Sequence, residues 1–372
     1  MTHKNIAFFT TEQLPSLAPP SNTVGATAWI RQNLFSSPIN SIFTLLGLYV
    51  VYLTIPPLLN WAFFSSDWSG TSRADCTTGG ACWVFVQVRL QQFIYGFYPS
   101  TDIWRVNLGF LMLVALMAPL FIEKTPRKGL LAAFLLFVYP VIAFILFSGG
   151  SFGLSVVTTD QWGGLMLTLV IASVGIVASL PLGVLLALGR RSDMPIVKSS
   201  CVVFIEIWRG VPLITVLFMS SVMLPLFLPE GVTFDKLLRA LIGITLFQSA
   251  YMAEVIRGGL QAIPKGQYEA AQALGLGYWK TMGLIILPQA LKMVIPGIVN
   301  TFIALFKDTT LVIIIGLFDL LGAVENAIKD PAWLGMAIEG YVFAAAVFWV
   351  FCFGMSRYSI SLENKLHTGH KR

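Results

Sequence analysis

Long apolar runs alternate with short polar segments along most of this 372-residue chain. A helix of about 20 apolar residues crosses the hydrocarbon core of a bilayer, and we count eight runs of roughly that length. They lie at about 41–63, 107–122, 129–148, 163–189, 202–228, 237–257, 291–316 and 337–356. A β-barrel would show shorter segments of alternating polarity instead. The pattern predicts an all-α integral membrane protein with about eight transmembrane helices.

Most motif-like features lie after residue 155, which predicts two parts. Residues 1–155 hold a tail, three spans and a polar loop at 64–106, and we predict that they form an accessory membrane module. Residues 156–366 hold five spans with short connections and are predicted to form the core. Pro181 with Gly183, and Gly210 with Pro212, are expected to interrupt two core spans. Broken helices are one mark of transport sites, although membrane helices also tolerate ordinary prolines.

Composition and charge add an orientation. Charged residues are 11% of the chain and apolar residues 56%, whereas soluble proteins carry roughly 25% charged residues. Basic residues concentrate in alternate connections, which predicts that both termini and the segment 258–290 are cytoplasmic. The net charge of +6 follows from this asymmetry. The basic residues are scattered over loop ends, so the sequence does not predict the basic patch that nucleic-acid binding requires.

Two pairs of charged residues, each spaced by three, lie within core spans. Glu206 and Arg209 share one helix face, and so do Glu254 and Arg257, so each pair can form an intramembrane ion pair. A charge at membrane depth costs several kcal/mol, roughly 2.5–3.5 on insertion scales, unless it is paired. We interpret these pairs as structural, and a functional role stays open.

A second polar cluster lies in the seventh span. Lys307 and Asp308 are adjacent, so their side chains point about 100° apart and do not satisfy each other easily. A cation and an anion at depth could bind a zwitterion; interhelical pairing is the structural alternative. The predicted substrate pathway comprises Gln248, Tyr251, Asn300, Lys307, Asp308, Thr309 and Thr310.

Cysteines and histidines give few further candidates. Cys76 and Cys82 lie in the predicted outer loop, where an oxidising compartment favours a disulfide over two free thiols. All three histidines lie in the tails, and no metal-ligand spacing is present, so the sequence predicts no metal site. A membrane enzyme is disfavoured because no catalytic constellation of His, Cys or carboxylates is evident.

The segment 258–290 contains a sequence suited to a short helix with stops at both ends. From Gln267 onward it is rich in helix formers, and Glu269 is expected in the first turn, where the positive helix end favours a carboxylate. Gly275 can take the left-handed conformation that ends a helix, and Pro288 is expected to break a second helix. Such a helix suits the groove of a soluble partner; a helix lying on lipid is the alternative.

Three motifs carry a family resemblance over about residues 160–366. Residues 269–288 read E-A-A–x3–G–x9–I–x–L–P, which resembles the EAA loop of ABC-importer permeases. Residues 206–213 resemble the E-x-x-R-G-x-P-L stretch of polar-amino-acid permeases, and residues 300–311 resemble their N-x6-K-x-T-S-L stretch, with Thr310 replacing Ser. The extra N-terminal spans resemble the longer permeases of general L-amino-acid importers.

The resemblance implies a type I ABC importer of the bacterial inner membrane, in which this chain moves L-amino acids by alternating access. It implies a second permease, two ATP-binding subunits and a periplasmic amino-acid-binding protein as partners. The chain has no G-x-x-x-x-G-K-[ST] phosphate loop, so ATP and Mg²⁺ are expected on the ATPase. A permease for another polar solute and a non-transport membrane scaffold stay as alternatives. The residues implied to couple to the ATPase are Gln267, Glu269, Ala270, Ala271, Gly275 and Pro288.

Overall fold

The apolar runs form helices, since a helix satisfies its own backbone hydrogen bonds in hydrocarbon. A computed structural model of the protein describes residues 25–122, 124–227, 229 and 234–366, and these contain helices without named strands. The α-helices are α1 Ala26–Asn33, α2 Pro38–Leu59, α3 Trp83–Tyr95, α4 Ile103–Phe121, α5 Lys128–Ala133, α6 Tyr139–Ser148, α7 Gly164–Arg190, α8 Pro195–Gly210, α9 Leu213–Phe218, α10 Lys236–Ala262, α11 Lys265–Ala273, α12 Tyr278–Thr281, α13 Leu287–Met293, α14 Ile295–Asp308, α15 Leu320–Ala327 and α16 Ala337–Leu366.

Shorter π and 3₁₀ segments connect or extend these helices. The π segments are Asn60–Phe64, Phe134–Val138, Met219–Met223 and Met282–Ile286. The 3₁₀ segments are Arg73–Asp75, Ser100–Asp102, Thr159–Gln161, Leu224–Phe227, Thr309–Ile315 and Pro331–Trp333. Several of these segments continue a neighbouring α-helix, and the combined helix is then long enough to cross a membrane.

The eight predicted spans correspond to helices of three kinds. Within the described ranges, six helices are long and apolar enough to cross a membrane, including Ser100–Phe121, whose predicted counterpart was short. The predicted fifth span is the pair Pro195–Gly210 and Leu213–Phe227, bent by 102°. The predicted sixth span is α10, which is 27 residues long and buried along much of its length. A helix that packs against protein can carry more polar residues than a helix that faces lipid, which explains why α10 is less apolar than the six helices.

The chain divides into two compact units. The first comprises residues 1–67 and 77–81, and its described part contains α1, α2 and the π segment after α2. Within it, Ser37 caps α2 by accepting a hydrogen bond from the Asn40 N–H at 3.2 Å. The second unit comprises residues 68–76 and 82–372 and contains the other helices.

Cores of the second unit mix residues from both sides of the predicted boundary near 155. Phe85 and Phe93 of α3 are fully buried and pack with Leu320 and Val324 of α15. In another core, Phe147 of α6 packs in the cluster that includes residues of α7 and α10. The boundary itself stays a prediction, but α3 and α6 contribute side chains to the packing of the later helices.

The two interruptions predicted in the core spans have different outcomes. α7 runs unbroken through Pro181, so that predicted interruption is wrong. Gly183 instead lies where α7 meets α10: a Cβ there would be 2.6 Å from Met252 Cγ. The predicted break at Gly210 and Pro212 is confirmed, because α8 ends at Gly210 and α9 starts at Leu213.

Candidate functional site

The segment between α10 and α14 forms the predicted short helix. α11 has nine residues, and Gly275 takes the left-handed conformation expected of it, with φ of 72°. The Leu276 N–H then donates to the Ala271 carbonyl at 3.2 Å, which closes the helix end. Two details differ from the prediction. Glu269 is the fifth residue of α11, outside its first turn, and Pro288 lies at the start of α13, which continues to Met293.

The exposed face of this segment is polar at α11 and apolar beyond it. Gln267, Glu269 and Ala270 are exposed, whereas Ala271 is buried against the rest of the chain. Just past the helix, Leu274 is 76% and Trp279 is 72% exposed. Large apolar side chains open to solvent are typical of surfaces that bind a partner. We call residues 265–280 the docking segment, after the role that the sequence predicts for them.

One arginine joins the docking segment to two long helices. Arg191 is the C-cap residue of α7, and its Nη1 donates to the Leu260 carbonyl at 2.8 Å and to the Tyr268 hydroxyl at 3.0 Å. The Tyr268 hydroxyl donates to the same Leu260 carbonyl at 3.2 Å. The Arg191 guanidinium also lies 5.5 Å from the Tyr268 ring centroid. The three groups bring the ends of α7 and α10 together with α11.

The two predicted ion pairs belong to one network that also includes Arg190. Glu254 of α10 lies 2.7 Å from Arg257, 2.8 Å from Arg190 and 3.8 Å from Arg209. Arg190 also lies 2.9 Å from Glu206. The predicted ion pair of Glu254 with Arg257 is confirmed. The predicted pair of Glu206 with Arg209 is wrong, because Glu206 pairs with Arg190 of α7 and Arg209 pairs with Glu254. Spacing within one helix could not identify these partners, because they lie on other helices.

A tyrosine borders this network. The Arg209 guanidinium lies 5.6 Å from the Tyr251 ring centroid, and Tyr251 is 37% exposed. Gln248, one turn away, is buried and donates to the Thr301 carbonyl at 2.8 Å. The structure thus gives Gln248 a helix–helix hydrogen bond and leaves Tyr251 open.

The polar residues of the predicted seventh span also differ in their exposure to solvent. Asn300 and Lys307 are exposed on α14, and among the described residues neither Lys307 nor Asp308 forms an ion pair. Thr309 is fully buried, and its hydroxyl donates to the Phe306 carbonyl at 2.8 Å. The Thr310 hydroxyl donates to the Lys307 carbonyl at 2.9 Å. Two of the predicted pathway residues on α14 are therefore accessible, and Thr309 is not.

At the start of α3, two cysteines and a glutamate meet. Cys76 and Cys82 are joined as a disulfide with a Cα–Cα distance of 5.6 Å. The Cys82 N–H donates to Oε1 of the buried Glu339 of α16 at 3.2 Å. Further along α3, Arg89 forms an ion pair with Asp330, and the Gln92 amide donates to Asn326 at 3.0 Å. Polar contacts thus attach α3 to α15, α16 and the turn between them.

Two features escaped sequence reasoning. Asp319 caps α15 by accepting from the Gly322 N–H at 3.0 Å, while its fully buried Oδ2 has no hydrogen-bond partner in the described structure. Burial raises the pKa of this carboxyl to about 6. The second feature is the set of contacts made by Arg190 and Arg191, because basic residues at the end of a span indicate only orientation from the sequence. An aspartate directly before the apolar residues Leu320 and Leu321 could have indicated the cap. No spacing signal indicates the arginine contacts, because their partners lie on other helices.

Comparison with known proteins places these features in a family. Residues 179–365 match the family described as the inner membrane component of binding-protein-dependent transport systems. The chain is 62% identical over 348 residues to the inner membrane amino-acid ABC transporter permease YhdY of Escherichia coli K12, covering 94% of this chain and 95% of that protein.

Another full-length relative and one solved structure are also similar. The glutamate/glutamine/aspartate/asparagine transport system permease BztC of Rhodobacter capsulatus is 42% identical over 434 residues, covering 98% of this chain and 99% of that protein. A crystal structure of an amino acid ABC transporter with histidines matches 54% of this chain and 92% of that chain, at 29% identity and a TM-score of 0.48. This chain therefore belongs to the inner membrane components of binding-protein-dependent transport systems, as a permease subunit of an ABC transporter.

Proposed function

We propose that this permease moves L-amino acids across the bacterial inner membrane by alternating access. The observation that carries the proposal is the 62% identity to an amino-acid permease over 94% of the chain, because a polar-solute permease of another kind would not be expected to match at that level along its whole length. A second permease and a periplasmic amino-acid-binding protein complete the importer. Both termini and the docking segment are cytoplasmic, as the distribution of basic residues favours.

We further propose that two copies of a separate ATPase drive transport through the docking segment. ATP and Mg²⁺ bind to those subunits, and this chain holds no cofactor of its own. The capped helix α11, with Glu269 and Ala270 exposed and Leu274 open beside it, supports this role. A short rigid helix can be moved as a body, which is what coupling to a closing ATPase dimer requires.

For the substrate pathway, we propose that the accessible members of the predicted set line it. Tyr251, Asn300 and Lys307 are exposed, and the exposed cation can meet a carboxylate of the cargo. Gln248 and Thr309 do not line the pathway. Both are buried, and each stabilises the helices that carry the lining residues through a hydrogen bond within the chain. Asp308 and Thr310, at the end of α14, complete the pathway.

Reversing the charge of Glu269 tests the coupling. We expect Glu269→Lys to abolish co-purification of the ATPase and uptake of radiolabelled amino acids in reconstituted vesicles, because a like-charged or displaced contact costs several kcal/mol at an interface.

A second variant tests the substrate pathway. Lys307→Met in the same assay should retain the ATPase and lower uptake. Full uptake by Glu269→Lys would refute the coupling role, and loss of assembly in Lys307→Met would make Lys307 structural. A non-transport scaffold would bind its partners without any uptake.

A further inference from the structure

The docking segment is held to the long helices by few polar contacts. Within the described residues, the hydrogen bonds that join α11 to α7 and α10 all involve Tyr268. Its hydroxyl accepts from Arg191 and donates to Leu260, and Arg191 donates to Leu260 as well. Three helices therefore meet at one hydroxyl, one guanidinium and one carbonyl.

The chemistry of this junction explains why these residue types occur there. Leu260 lies in the last turn of α10, where carbonyl groups have no intrahelical partner. The guanidinium of Arg191 satisfies that carbonyl and places a positive charge at the negative ends of α7 and α10. Both hydrogen bonds come from Nη1, whose two N–H groups have fixed directions in the guanidinium plane and can reach the hydroxyl and the carbonyl at once. A lysine ammonium would bring the charge without this planar geometry or the flat face that lies over the Tyr268 ring.

The position of Tyr268 matters as much as its contacts. Tyr268 is half-buried on α11, next to the exposed Glu269. One side of α11 therefore presents Glu269 to solvent, while the neighbouring side chain is tied to the ends of the two long helices. A force applied to the exposed side would reach α7 and α10 through Tyr268 and Arg191.

We propose that Arg191 and Tyr268 are positioning residues that transmit the ATPase-driven movement of α11 to the ends of α7 and α10. This inference rests on the proposed docking of an ATPase on α11, and it adds the path that the movement takes into the membrane. Neither residue touches the cargo; each acts by fixing the angle between α11 and the long helices.

Conservative variants separate transmission from docking. Tyr268→Phe keeps the ring beneath the guanidinium and removes both hydroxyl hydrogen bonds. Arg191→Lys keeps the charge and removes the planar guanidinium that lies over the Tyr268 ring. Tyr278→Phe is the matched control, since Tyr278 lies in the same segment and its hydroxyl makes no hydrogen bond among the described residues.

The complete importer with each variant is reconstituted in vesicles with a radiolabelled mixture of the protein amino acids. We expect ATPase co-purification and ATP hydrolysis within about twofold of the unmodified complex, and uptake per ATP lowered about fivefold by Tyr268→Phe and about tenfold by Arg191→Lys, as hydrogen bonds to a charged group are lost. The double variant should be no worse than Arg191→Lys alone, because both residues serve one link. Tyr278→Phe should behave like the unmodified complex.

Three results would overturn the proposal. Unchanged uptake per ATP in both variants would show that the junction transmits nothing. Loss of ATPase co-purification in parallel with uptake would assign the residues to docking or folding. An additive double variant would show two independent roles. An unmodified complex that neither binds an ATPase nor imports amino acids would instead refute the proposed function, so the two failures are distinguishable.

Discussion

At the scale of single residues, Gly183 allows the close approach of α7 to α10. From its sequence position, Gly183 is expected to interrupt a span, since glycine destabilises helix interiors. In the structure, its missing side chain makes room for α10: a Cβ would lie 2.6 Å from Met252 Cγ and 3.2 Å from the Ala253 nitrogen. The residue was recognisable from sequence, but its neighbour on another helix was not.

We expect Gly183→Ala to lower the free energy of unfolding by about 1–3 kcal/mol, because the added methyl overpacks the contact between α7 and α10. Gly258→Ala is the control, since no atom lies within 4 Å of its Cβ position and alanine favours the helix by roughly 0.5–1 kcal/mol. Thermal unfolding of the purified protein in detergent measures both. A Gly183→Ala protein as stable as the control would contradict the packing argument.

Asp319 is expected to make the free energy of unfolding depend on pH. Its pKa in the folded protein is about 6, whereas a free aspartate has a pKa of about 3.9. Between those values the folded protein holds the proton more tightly than the unfolded chain, so stability falls as pH rises through about 4 to 6 and then levels off. The shift corresponds to about 3 kcal/mol.

Asp319→Asn keeps an oxygen that can cap α15 and removes the titration. We therefore expect this variant to gain stability at pH 8 relative to the unmodified protein and to show a flatter profile between pH 4 and 6. Unfolding midpoints across that range provide the measurement. Parallel profiles for the two proteins would mean that Asp319 does not titrate there.

At the scale of helices, three prolines follow widened turns, whereas Pro181 lies inside a regular α-helix. Three π segments each end two residues before a proline: Phe134–Val138 before Pro140, Met219–Met223 before Pro225, and Met282–Ile286 before Pro288. A proline lacks the N–H and its ring meets the carbonyl of the preceding turn. A π turn relieves both problems without ending the helix. Sequence rules therefore located the disturbance at Pro288 but predicted a break where the structure continues.

The start of α3 is fixed by the link between Cys76 and Cys82. We expect the denatured, unreduced protein to present the two thiols of Cys201 and Cys352 and to present four after reduction. Cys76→Ser should lower stability by about 2 kcal/mol through the entropy of the short loop. Cys352→Ser is the control and should leave stability nearly unchanged. Four reactive thiols before reduction would exclude the bond.

At the scale of the whole molecule, the sequence predicted the class of protein better than its internal boundaries. Long apolar runs and the distribution of charge are local properties, and they indicated an all-α membrane protein. The partners of Glu206 and Arg209 lie on other helices, so spacing within one helix predicted the wrong pair. The same holds for α3, whose sequence lies in the predicted accessory module and whose Phe85 and Phe93 lie in a core with α15.

A fragment that starts at residue 156 tests this integration. Without α3, Leu320 and Val324 lose the aromatic side chains packed against them, and Glu339 loses the Cys82 N–H. We expect the fragment to be degraded or aggregated in the membrane, because truncating one buried aromatic already costs about 3–5 kcal/mol. Gel filtration of the fragment in detergent is the measurement. A monodisperse fragment that still binds the ATPase would establish residues 156–372 as an independent domain.

The contact at Gly183 has a mechanical consequence. Because the backbone of α7 approaches α10 to within the space of a missing methyl group, the two helices cannot slide along each other without a steric clash. Gly175, against Leu305 of α14 at 2.8 Å from a would-be Cβ, restricts the same helix from another side. We expect α7 and α10 to move together as one rigid body when α11 is displaced, rather than to slide past each other.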